Sequence, residues 1–147
     1  MLDDSESRIG AKLAKCFQLV PQPAGFAAEA GSRALKDKRI TSLVMRFCAD
    51  RTLVFLEPRF TANSLAREQA ALSGCPFLTA TVYVENKASL PSAAALIQSA
   101  LQHARRNKTA LLMFPARADV LGALGKALTR DVLAEFEFVD ISQLREK

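Results

Sequence analysis

Apolar residues recur at helical spacing near the N-terminus and at strand spacing further on. Ile9, Leu13, Phe17 and Val20 follow four- and three-residue steps, while Arg8, Lys12 and Lys15 fall off that stripe. The pattern predicts a helix from about Glu6 to Leu19, with Asp4 or Ser5 as its cap and Pro21 and Pro23 beyond its end. Residues 1–6 read as a disordered tail ahead of one domain over 7–147. The alanine-rich stretch from Ala24 to Leu35 predicts a second helix, weakened by Gly25 and Gly31. From Ile40 to Cys48 the residues alternate, Leu43, Met45 and Phe47 against Val44, Arg46 and Cys48. With the polar turn Ala49-Asp50-Arg51 and the β-branched and aromatic run Thr52 to Leu56, they predict a hairpin closed by Pro58.

After Phe60 the rhythm becomes strand–helix alternation. Thr61 or Asn63 caps a helix through Leu72, with Gly74 as its C′ glycine. Strands follow at about 77–85, 109–114 and 135–141. Helices join them, one from Pro91 to Arg106 and one over 118–130. The expected fold is therefore α/β: one domain, a mixed sheet of four to five strands, and a C-terminal parallel βαβαβ unit with helices packed on its faces.

Composition narrows the class. Half of the 147 residues are apolar, enough for a core in a chain of this length. No run reaches the roughly 18 apolar residues that span a bilayer, and the acidic opening Met-Leu-Asp-Asp-Ser-Glu-Ser is unlike a signal peptide. Cys16, Cys48 and Cys75 are odd in number and widely spaced, so they read as buried thiols of a reducing compartment. The expected location is intracellular, in the cytoplasm, a nucleoid or an organelle matrix.

The formal charge is +5, and residues 33–67 alone carry that excess: eight basic residues against Asp37, Asp50 and Glu57. A concentrated charge suggests an anionic partner. Lys38, Arg39, Arg46, Arg51 and Arg59 would position it, with Arg105, Arg106 and Lys108 as a second patch that grips phosphate. The leading expectation is a non-enzymatic binding or assembly module that docks on nucleic acid or an acidic macromolecule, without cofactor or membrane contact. A protein partner is expected as well. The second alternative is a protein–protein subunit whose basic patches only solubilise it. Oligomeric state is left open.

Candidate chemistry is sparse. His103 is the single histidine, so no multi-histidine metal site can form within one chain. Gly122-Ala-Leu-Gly125-Lys126 lacks the spacing of a phosphate-binding glycine loop, and Gly-x-Ser-x-Gly does not occur. The sharpest pattern is Val82-Tyr83-Val84-Glu85-Asn86-Lys87, with an acid and a lysine two apart on one strand face. It resembles the Glu-x-Lys half of the restriction-endonuclease-like nuclease family. That resemblance implies a metal-dependent nuclease in which Glu57 and Glu85 hold Mg²⁺ and Lys87 positions the attacking water.

Overall fold

The computed structural model describes residues 3–28, 33–58 and 62–144. Its elements alternate as expected of an α/β chain: helix α1 (Glu6–Gln18), strand β1 (Gly25–Ala27), α2 (Lys38–Ala49), β2 (Val54–Glu57), α3 (Ala66–Ser73), β3 (Phe77–Thr79), β4 (Val82–Tyr83), α4 (Leu90–Asn107), β5 (Leu112–Met113), α5 (Ala118–Ala127) and α6 (Arg130–Glu135). The strands lie as a three-stranded sheet in the order β1-β2-β3 and a two-stranded sheet β4-β5. The backbone gathers into two compact units, residues 1–78 with 140–147, and residues 79–139.

In the first unit β1 and β2 pair in parallel, Gly25 opposite Val54, Phe26 opposite Phe55 and Ala27 opposite Leu56. Parallel neighbours need a crossover, which α2 supplies. The core sits between sheet and helices: Phe55 with Ile9, Leu13, Leu35, Ile40, Val44, Met45, Cys48 and Leu53. Phe55 is stacked by Phe26 at 6.3 Å and Phe77 at 6.1 Å. Ser5 caps α1 by accepting from the Arg8 N–H at 3.3 Å, and Asp4 pairs with Arg8 and Lys12. That contact falls in the segment expected to be a tail.

The predicted hairpin is corrected: residues 38–49 are helical. Asp37 Oδ1 accepts from the Ile40 N–H at 3.1 Å, and Ile40, Thr41, Val44, Met45 and Cys48 are the buried face. Ile40 to Cys48 is rich in apolar residues and fits both periods, so alternation alone could not decide. The aspartate cap and the helical spacing of the buried positions do. The helix expected over 24–35 is also corrected. Its start is β1 and its end a short 3₁₀ turn, Ala34–Lys36, while residues 29–32 lie outside the described residues.

In the second unit β4 and β5 pair in parallel, Val82 opposite Leu112 and Tyr83 opposite Met113. Val84, Ala93 and Val120 form its core, with Leu96, Leu112 and Phe114 packed against them. Ser89 caps α4, Pro91 stands in its first turn, and Lys108 ends it in the left-handed conformation at φ 67°. Gly74 ends α3 the same way at φ 66°. The strand expected at 135–141 is corrected: α6 runs to Glu135, and Phe136 is extended but joins no sheet among the described residues. Alternating Phe136 and Phe138 favour extended backbone, but a ladder needs a partner edge. Phe138 is 68% exposed.

Candidate functional site

In parallel α/β sheets ligands gather at the carboxyl ends of strands. Each unit has such an end. In the first, β2 closes on Glu57, which is 4% exposed. Strand alternation puts Glu57 on the side of Phe55, toward the helices. Its Oε1 is sealed from solvent and has no hydrogen-bond partner among the described residues. A buried carboxylate oxygen left unpaired is costly. Enclosure keeps any large ligand from reaching it.

In the second unit two loops leave the carboxyl ends of β4 and β5. Val84 still donates to Met113 O at 2.9 Å, after which Glu85, Asn86 and Lys87 turn outward and are exposed. From the neighbouring loop Arg117 reaches across. Its Nη1 donates to Asn86 O at 2.6 Å and Ala88 O at 3.0 Å, and its Nε donates to Asp119 Oδ1 at 3.1 Å. The guanidinium holds the Asp119 carboxyl below its usual range. One planar fork thus fixes both loops, which a lysine's point charge would not do. Sequence reasoning missed Arg117. The available signal was an Arg-x-Asp opening a helix soon after an apolar strand. We expect Arg117→Ala to destabilise the chain by about 1–3 kcal/mol through the lost charged hydrogen bonds. Urea unfolding measures this, and Arg117→Lys should recover less than half of it.

The basic residues are dispersed over separate jobs. Lys38 and Arg46 are exposed on α2, whereas Arg39 Nη1 donates to Asp4 O at 2.8 Å. Arg51 lies over the Phe47 ring at 3.9 Å and faces Phe17 at 5.6 Å. Arg105 forms a two-pronged pair with Glu135, at 2.7 and 3.2 Å, and keeps that carboxyl below its usual range. Arg106 donates to Gln102 O at 3.4 Å, and Lys108 is the helix-ending residue of α4. Arg59 lies outside the described residues. The Glu-x-Lys pair is also relocated: β4 ends at Tyr83, so Glu85 and Lys87 stand in a turn rather than on a strand face.

His103 is half-buried in the last two turns of α4. That helix starts after the carboxyl end of β4 and returns to the amino end of β5. His103 therefore lies about 20 Å along the helix from Leu90, on the rim opposite Glu85–Lys87 and Arg117. Among the described residues no group of three His, Cys, Asp or Glu side chains gathers as a metal site. A groove of about 610 Å³ between α4 and α5, lined by Leu90, Ala94, Gln98, Ala123 and Lys126, is mostly apolar. No helix among the described residues is long and apolar enough to cross a membrane.

Parallel strands with helices packed on them define an α/β protein. The chain belongs to the divergent polysaccharide deacetylase family, which it matches over residues 1–145. Its fold is similar to that of the crystal structure of uncharacterized protein ATU2773 from Agrobacterium tumefaciens C58, with a TM-score of 0.84 at 23% identity. The likeness covers 95% of this chain and 57% of that one, so the chain spans little more than half that protein's length. No curated protein matches. Family membership overturns both functional expectations drawn from charge and from Glu-x-Lys. Docking on nucleic acid or an acidic macromolecule gives way to a carbohydrate-directed family, and the nuclease built on Glu57, Glu85 and Lys87 has no support.

Proposed function

We propose that this chain binds an acetylated polysaccharide through the loops at the carboxyl ends of β4 and β5 and does not itself remove the acetyl group. The carrying observation is the mismatch between the family's chemistry and the side chains present. Hydrolysing a sugar-borne acetyl group needs a water activated by a metal or by a general base. A catalytic metal site of that kind takes three protein ligands, with histidine prominent among them. The described residues gather no such set, and the chain's one imidazole is on the far rim of its unit. They therefore do not fit a resident catalytic metal.

The loops do suit binding. Glu85 accepts from sugar hydroxyls, Asn86 both donates and accepts, and Lys87 donates. Arg117 holds their backbone in place, which lowers the ordering cost of recognition. Titration of the ¹⁵N-labelled chain with oligomers of N-acetylglucosamine and with O-acetylated xylan fragments tests this. Shifts should concentrate at residues 85–88 and 114–117, and the double change Asn86→Ala, Lys87→Ala should weaken affinity at least tenfold. Absence of shifts at millimolar oligosaccharide, or shifts centred elsewhere, contradicts it.

A further inference from the structure

The groove of the second unit is walled by two helices packed against each other, α4 and α5. Arg117 Nη1 donates to Ala88 O at 3.0 Å, so the two helices start side by side at one rim. Leu90 and Asp119 line the groove there, and Gln98 and Lys126 line it further along. Those positions are eight residues apart on α4 and seven on α5, so the groove runs about 10–12 Å along the helices. Ala94, Gly122 and Ala123 lie between, and their small size keeps the walls low. A Cβ on Gly122 would meet nothing within 4 Å, so the space beside it is open. Two charged side chains line the groove. Asp119 is paired with Arg117, whereas Lys126 has no ion pair or hydrogen bond among the described residues.

We propose that this groove binds a medium-chain aliphatic carboxylate, its hydrocarbon tail along Ala94, Gly122 and Ala123 and its carboxylate at Lys126 and Gln98. A volume of about 610 Å³ is that of a small-molecule site, and so is the make-up, apolar walls with a few polar groups. Charge balance selects the head group. With Asp119 neutralised by Arg117, the lining keeps an unpaired cation in Lys126, and the Gln98 amide adds a neutral donor on the facing helix. The ammonium gives a carboxylate a charge-assisted hydrogen bond that an alcohol of equal length cannot match. Burial of the tail against the alanines supplies the drive. A protein partner fits less well. Two turns of each helix present far less than the roughly 800 Å² per side of a stable interface.

Titration of the ¹⁵N-labelled full chain with octanoate and with octanol tests this. Octanoate should shift the amides of residues 94–98 and 122–127 and bind about three- to tenfold tighter than octanol. Those residues are distinct from 85–88 and 114–117, so the result is read independently of saccharide binding. Each methylene added between butanoate and octanoate should tighten binding about two- to fourfold. Lys126→Met should remove the preference for octanoate and leave octanol binding unchanged. Gly122→Leu should fill the groove and abolish binding of both. Its fold should hold, because leucine is the better helix former and the added Cβ has room. Where the leucine variant folds poorly, Lys126→Met still decides. Octanol bound as tightly as octanoate, a preference that survives Lys126→Met, or no shifts in the groove at millimolar octanoate overturns the proposal.

Discussion

Replacing Phe55 with alanine is expected to cost the chain about 3–5 kcal/mol. Phe55 is fully buried at the middle of the central strand and stacked on both sides, by Phe26 from β1 and Phe77 from β3. Truncation removes the ring's transfer energy and leaves a cavity walled by residues that other contacts hold in place. Each aromatic pair adds about 0.5–1.5 kcal/mol beyond area burial. Against a typical total of about 5–15 kcal/mol, such a loss leaves little margin. Urea unfolding should show the midpoint fall with little change in slope. Phe55→Leu should recover more than half of the loss. A cost below about 1 kcal/mol for the alanine variant would mean that the three rings do not form the centre of this core.

The second large effect is at Gly25. A Cβ built there would sit 2.6 Å from the Val54 carbonyl oxygen, closer than real side chains come. The obstacle is backbone of the neighbouring strand and cannot rotate away. Gly25→Val must push β1 off β2 or distort Val54, at about 1–3 kcal/mol or more. Amide exchange at Val54, whose N–H donates to Ala24 O at 3.1 Å, should accelerate well beyond the global change. Gly125→Ala in α5 is the contrasting case. Its added Cβ meets nothing within 4 Å, and alanine is the better helix former. That variant should be neutral or stabilised by roughly 0.5–1 kcal/mol. Equal effects at the two positions would contradict the close approach of β1 to β2.

Legibility in the sequence followed the capping residues. Ser5, Pro91 and Gly74 mark helix ends by local chemistry, and those boundaries match the structure closely. Where only periodicity was available the signal was ambiguous. Residues 40–48 carry apolar side chains compatible with either period, and the deciding signal lies just outside them in Asp37, which caps the helix. Gly25 looked like a flaw in a helix because its reason is a neighbour 29 residues away, which no local pattern contains. The basic residues misled for a related reason. Formal charge is additive along a chain, but Arg51 is spread over two rings and Arg105 is held by Glu135. The pattern around Glu85 and Lys87 reads as a strand face in the sequence, and the residue that organises the loop it forms, Arg117, lies about 30 positions away.

The central claim is binding without hydrolysis, and acetate release tests it most directly. The purified chain would be incubated with acetylated glucosamine oligomers and acetylated xylan at concentrations where binding is saturated, with and without added zinc or magnesium, and free acetate quantified. We predict acetate no higher than in oligosaccharide alone under every condition, in samples that show the shifts at residues 85–88 and 114–117. Catalytic acetate release above that background by this chain would contradict the claim.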